Sequence, residues 1–427
     1  MTSWYRRILP GTLLNSGAKS ASSKDDTRPT IALMLGGGGA RAAYQVGVLN
    51  YMAEAFPDFR FALLTGVSAG AINTTHLANH VGTFRQATSS LVSNWEQLTA
   101  DRVFDVNSGL AVMRQLFADR DPAGRSAAAA RQRGVLDPSP LRAFLYEKMA
   151  AHDNTLRGIH QNVRTGWLKG VAVVTTSYTT GQTVTWVQGG TFDEWERPDR
   201  IGRETELSVE HVMASTALPL VFPPVRINDA WYGDGGVRLM APLAPAVHMG
   251  ATRIMVIANR YKPSQEEAER PAVHGHPPLA QVMGVLVNAV FTDALEQDAE
   301  NLRRINRLVR QRATPNGQST HASGTARPRD RVIDLLQIRP SVSLSTFAHE
   351  YISELPAAIR YLVGSTGGGE VRSNDWSSVL LFARGYIDRV LEIGYHDARR
   401  QHDRIATFLH ADRLEVGDVK ASNMSAV

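Results

Sequence analysis

The chain has 427 residues, 43% hydrophobic and 20% charged, with 35 glycines and a formal net charge of +5. That composition is ordinary for a globular protein of roughly two to three domains, or of one enlarged α/β domain. The absence of cysteine excludes disulfides, thiol nucleophiles and cysteine-ligated metal sites. No apolar run reaches about 18 residues, so no membrane-spanning helix is expected.

In chain order, the first 24 residues contain no acid and several serines. Their apolar part is interrupted by Pro10, a poor signal-peptide core, and 1–29 is expected to be a disordered leader. From Thr30, "TIALML" reads as a buried strand. Four glycines, Gly36 to Gly39, end it. "ARAAYQVGVLNYMAEAF" follows, with Ala43, Val46, Leu49 and Met52 near helical spacing. "FALL" (Phe61 to Leu64) is a second strand and "AGAINTTHLANHV" a second helix. Strand, helix, strand, helix predicts parallel strands joined by right-handed crossovers. The stretch from Asp119 to Gly134 reads as an exposed loop or weak helix, and "DPSPLRAFLYEKMA" as a helix with turn chemistry at its front. "GVAVVTTSYTTGQTVTW" predicts a hairpin. "APLAPAVHMG" reads as a helix and "ATRIMVIAN" as another buried strand. A long amphipathic helix is expected from Leu279 to Arg312, then a flexible insertion over 313–330. "VIDLLQIRP" returns as a strand, and helices continue to about Ala411 before a frayed tail, 413–427.

"TGVSAGA" holds the one G-x-S-x-G pattern of the chain: Gly66, Ser68, Gly70. Its strand-before, helix-after context is the one required for a nucleophile elbow. Flanking glycines remove Cβ atoms that would collide in so sharp a turn, and the helix dipole favours negative charge developing at Ser68. A serine hydroxyl needs a base. Asp234, in "WYGDGGVRL", belongs to the one Asp-Gly pair in the chain. Alone it reads as a hairpin turn, but Gly235 and Gly236 would also let the backbone approach another element closely. None of the thirteen histidines sits in a recognisable catalytic context. His248 follows Asp234 in Ser–Asp–His order but lies in a helix-like stretch that favours packing or exposure. His76 and His80 have metal-binding i, i+4 spacing without an acidic partner.

The glycine run alone is open to several readings: a phosphate cradle, a dinucleotide turn, an oxyanion hole or a simple turn. A P-loop needs Gly-Lys-Ser/Thr, which is missing. A dinucleotide fingerprint needs a third glycine where this chain has Ala42, and an acid at the end of the next strand, which "FALLTG" lacks.

Taken together and in order, "GGGGAR", "GVSAG" and "DGG" resemble the patatin-like phospholipases. So does "MASTALPLVFPPVRINDAWYGDGGVRLMAPLAPAVHMGA" between and after them. The resemblance covers about Ile31 to Ile257. It implies a three-layer α/β sandwich with a central, mostly parallel sheet: a catalytic domain over 30–258, followed by a largely helical C-terminal extension over 259–412 that either caps the site or completes the core. It further implies a Ser–Asp dyad without histidine: Ser68 the nucleophile, Asp234 the base, and the amides of Gly37, Gly38 and Gly39 the oxyanion hole. Gly66, Gly70, Gly235, Gly236 and Arg41 would support them. A cation in a helix's first turn opposes the dipole, so Arg41 is expected to fix the loop or meet an anionic part of the substrate. The implied activity is lipid ester hydrolysis, with phospholipid the leading substrate and without metal or cofactor. General esters, lysolipids, and a non-catalytic membrane-associated role on the same fold are the alternatives.

Two basic runs, Arg303 to Arg312 and Arg327 to Arg331, read either as a solvated helix face beside a loop or as a patch for anionic lipid head groups. They come without a nucleic-acid-binding module. The expected location is cytoplasmic with peripheral membrane contact. Oligomeric state is not legible.

Overall fold

Strand β1 (Ile31–Leu35) is buried along its whole length, and its side chains alternate between two cores. Ile31, Leu33 and Leu35 point into one apolar cluster, Ala32 and Met34 into the other. β2 (Leu63–Val67) and β9 (Arg253–Ile257) behave alike, with Leu64, Met255 and Ile257 on the first side and Leu63, Val67, Ile254 and Val256 on the second. Near-continuous apolar strands of this kind mark a parallel sheet covered on both faces.

The computed structural model describes residues 29–105, 136–151, 154–189, 192, 195–219, 221–269, 293–313, 331–356, 360 and 375–410. The expected leader before Pro29, the 119–134 stretch, the first turns of the helix expected from Leu279, the insertion beyond Ala313 and the tail lie outside these residues.

Among the described residues, β10 (Asp334–Ile338), β9, β1, β2 and β3 (Gly170–Ser177) run parallel in that order. β4 (Thr183–Gln188) returns antiparallel from β3, as the expected hairpin, and continues to β6 (Arg200–Glu204) and β5 (Glu196–Arg197). A second hairpin, β7 (Val225–Ile227) and β8 (Ala230–Asp234), attaches to the end of β3. The sheet is mixed but mostly parallel at its centre, sandwiched between two helical layers as the sequence predicts.

The first layer holds α1 (Ala43–Ala55), α2 (Ala69–Asn79) and α3 (Phe84–Glu96). The second includes the long helix, here called αL (Asp293–Ala313), through Leu295, Ala299 and Leu302. That i, i+4, i+7 spacing makes one helical stripe.

Residues beyond 258 complete the core. β10 extends the sheet, and the C-terminal helix αC (Arg384–Arg400) buries Tyr386, Ile387 and Val390 in the same cluster as α1. Two glycines let these helices touch along their backbones. A Cβ on Gly47 would lie 2.0 Å from the Leu391 carbonyl oxygen, and one on Gly394 would lie 2.2 Å from that of Tyr44. Tyr44, fully buried on α1, donates its hydroxyl to Asp397 on αC at 3.1 Å. No helix among the described residues is long and apolar enough to cross a membrane.

Candidate active site

The sheet topology brings the two expected catalytic residues together. β2 pairs with β3 up to Val67↔Val174 and stops. The next β3 residue, Thr175, pairs with Val184 on one edge and with Asp234 on the other. β8 therefore takes over the edge of β3 where β2 leaves it, and the two strands meet head to head. Ser68 follows Val67, and Asp234 arrives from the opposite direction, one step of about 3.3 Å further along β3. Gly235 makes the junction fit: a Cβ there would lie 2.2 Å from the Val174 carbonyl oxygen and 2.9 Å from the Val67 side chain. The Asp-Gly pair is thus a strand end against a neighbouring strand, not a hairpin tip.

Ser68 stands in the left-handed half of backbone space, at φ 55° and ψ −133°. For a non-glycine residue this costs about 1–3 kcal/mol. It precedes α2 but makes no side-chain cap bond, and its backbone is not the extended one of an ordinary N-cap serine. The turn is held from outside. The Ser68 N–H donates to Ser215 Oγ at 2.9 Å, and the Ser215 hydroxyl donates to the Val174 carbonyl at 2.6 Å. Gly66 and Gly70 admit the close approach, since Cβ atoms there would lie 2.4 Å from Thr74 Oγ1 and 2.2 Å from the Leu35 carbonyl oxygen.

Asp234 is completely buried. Its Oδ1 accepts the Gly236 N–H at 2.8 Å, while Oδ2 has no partner of hydrogen-bond geometry. Burial pushes the carboxyl up to about 7; the neighbouring Ser68 hydroxyl and the Gly236 N–H act in the opposite direction. A carboxyl that titrates near neutrality is a usable general base.

The glycine run forms a turn leading into a short 3-10 segment, Gly39–Ala42, ahead of α1. Gly39 has φ +55°, and a Cβ on it would fall 2.1 Å from the Val379 carbonyl oxygen. Asn259 Nδ2 donates to the Gly36 and Gly37 carbonyls at 3.1 Å each. Gln45 Nε2 donates to Gly36 at 2.8 Å; Asn73 Nδ2 donates to Gln45 Oε1 at 2.9 Å, and Trp95 Nε1 to Asn73 Oδ1 at 2.7 Å. These side chains hold the Gly36 and Gly37 carbonyls in place. Arg41 is 6% exposed, and its Nε donates to Ser378 Oγ at 2.7 Å. That bond links the glycine turn to the helix Asp375–Leu380.

Gly38, Gly39 and Ser68 open onto one narrow cleft, walled mainly by apolar side chains, among them Ile72, Val103, Leu141, Leu218, Phe222 and Leu380. Gly37 is not among the lining residues. Leu218 and Phe222 come from "LPLVF", and Leu380 from the C-terminal region. That region therefore walls the site as well as completing the core.

Gln45, Asn73, Trp95, Asn259, Ser215 and Ser378 were not singled out by sequence reasoning. Gln45 and Asn73 did leave a trace, as polar residues within apolar helical runs. The histidines weighed above, His76, His80 and His248, are placed elsewhere. His248 stacks on Trp195 with ring centroids 4.3 Å apart. His76 is buried, held down to about 4 by that burial and then by His80, and contacts Asn94. The His76 and His80 rings are 6.2 Å apart, and no cluster of three potential metal ligands occurs among the described residues.

With this geometry in view, the chain matches the patatin-like phospholipase family model over residues 33–247, half its length, and belongs to that family. No curated protein matches it. Among solved structures, it is similar to VipD from Legionella pneumophila, with 12% identity and a TM-score of 0.34 over 88% of this chain and 67% of that one. It is also similar to human GIVD cytosolic phospholipase A2, with 12% identity and a TM-score of 0.44 over 92% of this chain. It spans 61% of the length of that human chain. Likeness at this level carries no inference about substrate.

Proposed function

We propose that this protein is a serine acyl hydrolase acting on lipid esters, phospholipids foremost, through a Ser68–Asp234 dyad. The observation that carries the reading is the junction of β2 and β8. A serine on a strained turn faces a buried carboxyl pushed up to about 7, with no charged residue among the causes of that shift.

In this mechanism Asp234 takes the Ser68 proton as Oγ attacks the ester carbonyl. The charge that forms on the carbonyl oxygen is met by amides of the Gly37–Gly39 turn, with Gly38 and Gly39 nearest the cleft. Such a donor contributes about 3 kcal/mol to transition-state stabilisation. Collapse of the tetrahedral species breaks the bond to the leaving alcohol, which receives the proton held by Asp234. Water then attacks the acyl-enzyme, gives a proton to Asp234, and releases the fatty acid as that proton returns to Ser68. The apolar walls favour an acyl chain over a polar substrate. A general esterase or lysophospholipase would use the same steps.

Labelling with a fluorophosphonate probe tests the reading. The wild type is expected to label, and Ser68→Ala to lose labelling completely. Hydrolysis of a phospholipid, measured against short-chain esters, is expected to fall below about one hundredth in Asp234→Ala. A folded wild type that resists the probe would remove the hydrolase reading. A folded His248→Ala variant without activity would remove the dyad.

A further inference from the structure

The β7–β8 hairpin stands beyond the catalytic end of the sheet. Its inward residues, Val225, Ile227 and Tyr232, are buried, while Arg226 and Trp231 between them are exposed. Arg226 and Trp231 are cross-strand partners. Tyr178, the first residue after β3, donates its N–H to the Trp231 carbonyl at 2.8 Å. Arg226, Trp231 and Tyr178 thus form one outward row across three neighbouring strands. The Tyr178 ring lies flat on the backbone of Gly233, where a Cβ would fall 2.2 Å from its hydroxyl. Arg238 reaches the same β3–β4 turn, since its guanidinium lies 3.5 Å from a Cβ built on Gly181. Met240, two residues on, is 76% exposed, alongside 49% for Trp231 and 43% for Tyr178.

We propose that this row, with Arg238 and Met240 beside it, is the surface through which the protein docks on an anionic lipid bilayer. The inference rests on the hydrolase reading for its choice of lipid as partner. Three observations favour a bilayer. The first is chemical: tryptophan and tyrosine have apolar rings with a polar handle and settle at the head-group level of membranes. Arginine adds attraction to anionic lipid. Asp229 pairs with Arg226 at 3.3 Å, which leaves Arg238 as the row's net positive charge. The second is position: Trp231 lies three residues before Asp234, so its backbone stands about 10 Å past the dyad along β8, while the Tyr178 ring folds back over Gly233, beside Asp234. A bilayer resting there lies at the end of the sheet that carries Ser68 and Asp234.

The third is the contrast with the basic helix αL. It also exposes apolar residues, Ile305 at 49% and Leu308 at 51%, among Arg303, Arg304 and Arg307. But Asn306 bonds to Ile333, and Arg310 pairs with Asp334 at 3.7 Å. Asp334 is level with Arg253 and Ile31, at the opposite end of the sheet from Ser68. A membrane bound at that end could not deliver its lipid to the cleft. Exposed Trp167 lies at that far end too, under the Arg60 guanidinium at 4.1 Å.

The test is co-sedimentation of the full chain with phosphatidylcholine vesicles, with and without phosphatidylserine, alongside fluorophosphonate labelling and hydrolysis of a water-soluble ester. Trp231→Ala is expected to lower vesicle partitioning about tenfold, with labelling and soluble-ester turnover unchanged. Arg226→Gln with Arg238→Gln is expected to lower the gain from phosphatidylserine about tenfold and to weaken its salt dependence. Wild-type partitioning by Trp231→Ala would overturn the proposal, as would loss of binding in Ile305→Ser with Leu308→Ser instead. Self-association without vesicles that Trp231→Ala abolishes would also overturn it, in favour of an interface between protein copies. A wild type that labels but ignores vesicles refutes the docking surface and leaves the hydrolase reading intact. Binding that depends on Trp231 in an unlabelled protein does the reverse.

Discussion

A carboxylate that serves serine without a histidine must be basic enough to take a proton and close enough to receive it. In the proposed dyad, burial would meet the first need for Asp234, and the head-to-head strands the second. Both residues are held in unfavourable states, and each cost is measurable. At Ser68 the cost is the positive φ. Ser68→Gly is expected to be inactive but more stable than wild type by about 1 kcal/mol in urea unfolding. At Asp234 the cost is the buried charge. Its folded pKa of about 7 lies above the ordinary value of 3.8, so the folded state holds a proton that the unfolded state has lost. The corresponding stability is full below about pH 4 and disappears as pH rises through about 7. Asp234→Asn cannot ionise, so it is expected to be more stable than wild type at pH 8, by at most about 4 kcal/mol. Asp234→Asn should lose that advantage when unfolding is repeated near pH 4. In the wild type, kcat/KM is expected to rise with pH through about 7, as Asp234 ionises. A pH profile flat from 5 to 9 would show that Asp234 is not the base.

At the scale of the element, the glycine turn is rigid in spite of its composition. Its carbonyls are occupied by Asn259 and by the Trp95–Asn73–Gln45 chain, and its far side is packed on Val379. The four glycines are therefore not equivalent. A Cβ on Gly36 meets nothing within 4 Å, whereas one on Gly39 collides with the Val379 carbonyl at positive φ. Gly36→Ala is expected to keep most activity, and Gly39→Ala to lose at least about tenfold in kcat, with a lower melting temperature. Equal behaviour of the two variants would mean that the loop is not held as described. Arg41 also contacts the turn's surroundings, through Ser378.

For the whole molecule, the decisive contact is between α1 and αC. Their backbones touch at Gly47 and Gly394, more than three hundred residues apart in sequence. This joint seats αC and thereby the segment carrying Ser378, Val379 and Leu380 against the glycine turn. Gly394→Ala is expected to destabilise the protein by about 1–3 kcal/mol through overpacking, read as a lower melting temperature. Activity should fall as well, because the cleft wall moves with the helix. An unchanged melting temperature would show that the helices have room to separate.

The sequence by itself determined what depends on local patterning. The buried β1, β2 and β9, the β3–β4 hairpin and the elbow at Ser68 all follow from apolar runs, glycine positions and turn chemistry within a few residues. Its ordered motifs also named the family. Tertiary structure alone decided what depends on distant partners. Asp234 reads as a hairpin turn until β8 is seen to end against β2 on the shared edge of β3. Arg41 has no local reason to face inward until Ser378 arrives from the far end of the chain. Gln45 and Asn73 are only misplaced polar residues until Gly36 and Trp95 close their hydrogen bonds. The physical reason is the same in each case. A buried polar or charged group must find its partner, and periodicity in the sequence records which face is buried, not which group will meet it there.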